Sequence, residues 1–321
     1  MEQTNEKMTI TQDMVNSFLS TNNLNFDVGM IPQYGCVDGE YISTGSYVPM
    51  RMDSKQFLSS GGLSKDFRPI QNRDAFKLIS DLSGVANVEL KNCGQWGNGA
   101  GVFAQVSMGD ISVGSRGDRV GKYLSLVNSH DGSRALTILI TPYRFFCMNQ
   151  IGKAVNSARK SESTFVSIRH NASAEERMHE LVKTVHIADE VFQYSAEIYN
   201  KMDSLKINEE YVKETLSKLF PLEHDDGRGK TIWENRIRNI KDRFYSADSG
   251  RVDRYTAWNL YNAIQGTVQH DSKNTQTKNR SILMGDIAKF SNESLTTVLE
   301  VCSSEHLPKS IHDEIDALIG C

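Results

Sequence analysis

Two apolar runs separated by a polar knot occupy the middle of the chain. Residues 123–128 and 135–147 flank the knot at 129–134. Inside it, Asp131-Gly132 is a hairpin signal, because glycine takes a positive φ at little steric cost. The second run leads into helical spacing. A β-hairpin feeding a helix therefore sits at the centre of an α+β domain.

The expected fold class is α+β, with an antiparallel β-sheet and packed helices in the first half and a mainly helical second half. Residues 1–45 read as an N-terminal arm, with a short helix at 11–20 capped by Thr11, and a loop-rich lead-in; the stretch 26–50, with Pro32 and Pro49 as breakers, is expected to hold short strands. Residues 46–172 form the core and residues 173–321 a helical region packed on it. In the core, Pro69 keeps its predecessor extended. Asn72 can then cap a helix that places Ala75, Phe76, Ile79 and Leu82 on one face, with Gly84 as its stop. Strands at 87–96 and 102–108 flank the loop Gly97-Asn98-Gly99-Ala100-Gly101. Residues 108–121, with four glycines, read as a long connection that carries function.

The helix after the hairpin, at 148–160, has an apolar stripe of Ile151, Ala154, Val155 and Ala158. From residue 174, apolar spacing of three and four through Met178, Val185, Phe192, Tyr199 and Met202 predicts a helix of about seven turns. Further helices are expected at 209–220, around Trp233 to Phe244, from Ala257 to Val268, and at 286–302. The tail has weak helical spacing.

Several stretches stand in a fixed order. They are Phe67-Arg68-Pro69-Ile70-Gln71-Asn72, then Val127-Asn128-Ser129-His130-Asp131-Gly132-Ser133, then Pro142-Tyr143-Arg144-Phe145-Phe146-Cys147-Met148-Asn149. Ile168-Arg169-His170-Asn171 and Thr256-Ala257-Trp258-Asn259-Leu260-Tyr261-Asn262-Ala263-Ile264 follow, and His270-Asp271 closes the series. In that order, over residues 47–301, the chain resembles a known family, the phage/plasmid-like proteins grouped as domain of unknown function 932. The resemblance implies an origin in a phage or plasmid, and brings no agreed activity or catalytic set.

Charge is segregated along the chain. The net charge is -4 and the isoelectric point near 6.1, which argues against a globally basic nucleic-acid binder but not against a local groove. Residues 88–170 hold ten cations against five carboxylates. A groove that tracks phosphates needs such an excess, and Trp96, Tyr123, Tyr143 and Phe145 are interleaved for base stacking. The expected nucleic-acid contacts are Arg116, Arg119, Lys122, Arg144, Lys153, Arg159, Lys160 and Arg169. The bland alternative is a solvated sheet edge with ordinary core aromatics.

Other motifs favour structural explanations. The glycine loop at 97–101 lacks the Gly-Lys-Ser/Thr of a phosphate loop and lies between strands. Cys147 sits in an apolar run, as a core thiol does. Asp225-Asp226 reads as a solvated turn. The cations Arg236, Arg238, Lys241 and Arg243 read as an exposed helical face, with a second contact surface as the alternative. The five cysteines form no CxxC pair, so no metal site is expected.

The leading expectation is a nucleic-acid-binding protein of a phage or plasmid, acting on single-stranded DNA in recombination or replication. The hairpin feeding a basic helix looks like the core of the RecT, Red beta and ERF annealing proteins. The partners are then single-stranded DNA and further copies of the chain, with no catalytic residue, cofactor or membrane. Lacking an apolar leader or any run near the about 20 residues that span a bilayer, the chain is expected in the cytoplasm of a bacterial host. One alternative is an enzyme of mobile-element metabolism or counter-defence built on Asn128, His130, Asp131 and Arg169-His170, which requires those side chains to converge. Another is a structural or regulatory module that binds a protein through residues 174–321.

Overall fold

The computed structural model describes residues 10–85, 88–114, 117–144, 165–174, 176, 185–222, 227–245, 255–270 and 286–306. The protein is α+β, with two antiparallel sheets and packed helices. Its described residues divide between two compact units. The first draws on Met1–Gly109, Lys122–Thr141 and Glu162–Glu190, the second on Asp110–Gly121, Pro142–Ser161 and Val191–Cys321. The expected helix at 148–160, the beginning of the long helix before 185, the Asp225-Asp226 turn and the tail past 306 lie outside the described residues.

The first unit begins with α1 (Gln12–Thr21), whose Thr11 side chain accepts from the Met14 N–H at 3.3 Å, as an N-cap does. Helix α2 (Asn72–Val85) packs beside it, with the Ile10 N–H donating to Ser83 Oγ at 3.1 Å. The lead-in holds strands, as expected, but they are longer and more regular than its glycines and prolines suggest. It is a long hairpin of β1 (Val28–Val37) and β2 (Glu40–Arg51), to which β3 (Gln56–Phe57) adds two residues. Pro32 lies on the edge strand β1, where no ladder donor is needed, and Asp38-Gly39 forms the turn with φ of 51° and 88°.

Arg51 anchors the root of that hairpin. Its buried guanidinium pairs with Asp53 at 2.8 Å, donates to Gln95 Oε1 and Asn23 Oδ1, and lies over the Phe26 ring. The charge is therefore satisfied on every side, as a buried cation requires.

The second sheet runs β4-β5-β6-β7-β8: β4 (Glu89–Trp96), β5 (Gly101–Val113), β6 (Asp118–Ser129), β7 (Leu136–Arg144) and β8 (Phe165–Ile168). A short 3-10 turn, Gly97–Gly99, joins β4 to β5, so the glycine loop is a hairpin connection. The expected connection at 108–121 is strand instead, because Val113 and Val120 alternate inward and are buried. Its turn lies at Gly114 and Gly117, with φ of 72° and 70°.

In the second unit, α3 (Val185–Ser204) is followed by α4 (Glu209–Leu219), α5 (Gly227–Tyr245), α6 (Ala257–His270) and α7 (Asp286–His306). Asn208 caps α4 by accepting from the Tyr211 N–H at 3.1 Å. Trp258, Tyr261, Ile240, Leu260, Ile264 and Val298 form the centre of the core. Val113 and Val120 from the strand tips join it. Gly114 fits closely here. Its N–H donates to Asn200 Oδ1 at 2.7 Å, and a Cβ would run into the Asp203 carboxylate.

Candidate functional site

Three stretches far apart in the chain meet in the first unit. Residues 67–72 supply an extended segment fixed by Pro69, residues 128–134 the link between β6 and β7, and residues 168–171 the end of β8. The Asn128 side-chain amide donates to the Ile70 carbonyl at 2.9 Å across 58 positions. The Ile70 N–H donates to His170 Nδ1 at 3.1 Å across 100. The Arg68 N–H donates to the His170 carbonyl at 3.0 Å, and Phe67 stacks on the His170 ring at 4.9 Å.

Asn72 completes the junction. Its Oδ1 accepts from His130 Nε2 at 2.9 Å, and its amide donates to the Leu24 carbonyl at 2.9 Å. The expected capping role is thus replaced by two tertiary bonds, made while Asn72 itself is buried. Asn128 and His130 are fully buried and His170 nearly so. Asn128 and His170 both bond Ile70 and His130 bonds Asn72, so these three side chains lie at one junction, and none of them lines the cavity beside it. Asp131 instead closes its own turn, with Oδ1 accepting the Ser133 N–H. Neither Asn128 nor His130 is open to solvent in this structure, and their hydrogen bonds tie the segments together.

Burial sets the protonation of the two rings. His130 is pushed down from 6.5 to about 3 by desolvation, with His170 adding to the shift. Its Nδ1 has no hydrogen-bond partner among the described residues, so a proton there has no acceptor. His170 is pushed down to about 4 by desolvation, opposed by the main chain of Arg68 and Arg134 and by the Asp131 carboxylate. In the unfolded chain both rings protonate near pH 6.5, so below that pH the unfolded state binds more protons. Stability is therefore complete above pH 6.5 and is lost as pH falls towards the folded values. At pH 5 each ring costs about 2 kcal/mol. Urea titration at pH 7.5 and pH 5.0 should show a lower midpoint in acid, and a His130→Gln variant a smaller difference. Equal midpoints at both pH values would contradict neutral buried rings.

Around the sealed junction the surface is open and charged. A cavity of about 300 Å³ is lined by Arg68, Ile70, Lys77, Asn171 and the carboxylates Asp74 and Asp81, among others. Arg68, Lys77 and Arg169 are exposed, and no ion pair to a described residue engages them. Arg73 is committed to Asp27 and Lys218 to Glu214, whereas Lys55, Lys65, Lys206, Lys213 and Arg228 are further exposed cations with no ion pair to a described residue.

Of the eight expected contacts, Arg169 lies beside His170 and is exposed. Arg119 is exposed but ion-paired with Asp110. Lys122 is partly buried and not free. Arg116, Lys153, Arg159 and Lys160 lie outside the described residues, as does the side chain of Arg144 at the end of β7. The four α5 cations expected as a helical face are also engaged. Arg236 lies over the Phe220 ring, Arg238 donates to Asn235, Lys241 pairs with Glu209 at 3.7 Å and Arg243 is not free. The sequence did not single out Arg68, Lys77 or Asn171, which line one cavity because pairing across about 100 residues sets Asn171 beside the segment that leads into α2. Among the described residues no group of three or more His, Cys, Asp or Glu side chains is placed to hold a metal ion, and no helix is long and apolar enough to cross a membrane.

Fold and junction together define an α+β protein whose distant segments are locked by buried histidine and asparagine. The chain belongs to the family described as a domain of unknown function (DUF932), whose model matches residues 60–287. That span includes all three stretches of the junction. No curated protein and no solved structure matches the chain.

Proposed function

We propose that this protein binds nucleic acid, with single-stranded DNA as its preferred form, as a phage- or plasmid-encoded factor in recombination or replication. The observation that carries the reading is the set of exposed cations Arg68, Lys77 and Arg169, without ion pairs to described residues, around a junction held by buried hydrogen bonds. Cations on a rigid frame lose little conformational freedom when they meet phosphates. The excess of cations over carboxylates in residues 88–170 supports the same reading. Lys153, Arg159 and Lys160 would extend the contact surface. Asp74 and Asp81 in the cavity repel phosphate, which favours a path along Arg68 and Arg169.

The test is fluorescence anisotropy with labelled single- and double-stranded oligonucleotides at two salt concentrations. Single strands should bind more tightly, with affinity falling steeply as salt rises, since each neutralised phosphate releases about 0.9 counterion on a duplex and about 0.7 on a single strand. The triple change Arg68→Glu, Lys77→Glu, Arg169→Glu should weaken binding by roughly tenfold or more and flatten the salt dependence. All three residues are exposed, so circular dichroism should be unchanged. Absence of binding at low salt would remove the proposal.

A further inference from the structure

The hairpin of β1 and β2 extends beyond its own core. Every residue from Cys36 to Gly45 is exposed. Nevertheless Tyr34 is 55%, Val37 57%, Tyr41 79% and Ile42 54% exposed, all large apolar side chains. Cross-strand register sorts them. Tyr34 opposes Ser43 and Cys36 opposes Tyr41, so Tyr34, Cys36 and Tyr41 share one face, with Val37 and Ile42 on the other. A two-stranded ribbon open on both faces holds itself poorly in water, and an exposed apolar ribbon invites association.

We propose that the Tyr34–Cys36–Tyr41 face is a self-association surface, and that its occupant is the same face of a second copy of this chain, packed antiparallel. Charge points to this occupant. Between residues 28 and 47 the charged side chains are Asp38 and Glu40, both at the tip, and no lysine or arginine is present. Nucleic acid and anionic membranes meet no cation on this ribbon. The face itself carries no charge, so its own copy meets no repulsion there. Antiparallel packing about a two-fold axis near Cys36 sends the two acidic tips to opposite ends. The aromatic face offers roughly 300 Å² per copy, about 600 Å² across the pair. That lies below the roughly 1,200 Å² at which standard stable interfaces begin, and suits a reversible dimer. This inference is independent of the nucleic-acid reading.

Sedimentation velocity of the full chain, without nucleic acid and across a hundredfold range of concentration, tests it. The expected result is a concentration-dependent monomer–dimer equilibrium. The double change Tyr34→Ser, Tyr41→Asp should weaken dimerisation at least tenfold, with unchanged circular dichroism because both side chains are exposed. Mild oxidation should trap a disulfide-linked dimer that the Cys36→Ser variant does not form. A chain that stays monomeric throughout, or a dimer undiminished in the double variant, overturns the proposal.

Discussion

Trp258→Ala is expected to cost the second unit about 3–5 kcal/mol, enough to unfold it in modest urea. Trp258 is almost fully buried at the start of α6, with Tyr199 at 4.7 Å and Tyr261 at 6.0 Å between ring centroids. Its Nε1–H donates to Asp118 Oδ2 at 3.0 Å. Truncation leaves a cavity the size of an indole among helices that cannot collapse around it, and it removes the donor from the carboxylate. Trp258→Phe keeps most of the volume and loses only the donor, so its cost should be nearer 1–2 kcal/mol. Urea titration followed by far-ultraviolet circular dichroism separates the two. Equal small shifts for both variants would mean that this core tolerates the void.

Asn72→Ala should destabilise the first unit by roughly 3–5 kcal/mol, an unusually large effect for so small a side chain. The loss is not one of volume. It leaves His130 Nε2–H without its acceptor and the Leu24 carbonyl without its donor, both in buried surroundings. Each stranded polar group costs on the order of 1–3 kcal/mol. Asn72→Asp provides a second measurement. It keeps an acceptor for His130, loses the donor to Leu24 and places a carboxylate against the imidazole. The His130 pKa, followed by NMR, should rise from its depressed position, because a nearby negative charge favours the protonated ring. A ring that titrates unchanged in Asn72→Asp would break the assigned bond between the two side chains.

Much of the helical half was legible from spacing. Helices α4, α5, α6 and α7 lie where apolar residues recur at three and four. The β6–β7 hairpin was legible from Asp131-Gly132 between two apolar runs, as was the turn between β4 and β5 from its glycines. The β1–β2 ribbon was legible only as short strands, not as one long hairpin. Its exposed half buries nothing, so its residues show no inside–outside alternation, and Asp38-Gly39 was obscured by neighbouring glycines and prolines. The strands at 108–121 were misread for a related reason: four glycines suggested a loop, whereas two of them only make the turn.

The candidate site divides along the same line. Local order in the chain establishes helix and strand type, turn positions and the excess of positive charge, since each depends on neighbours within a few residues. Whether a cation is paired, as Arg119 is with Asp110, or has no ion pair to a described residue, as with Arg169, depends on what folding brings beside it. So does the fate of Asn72, whose side chain leaves the helix end for His130, and the neutrality of His130 and His170. Hydrogen bonds across 58 and 100 positions and the removal of water from those rings act through space, and no short-range pattern in the residues encodes them.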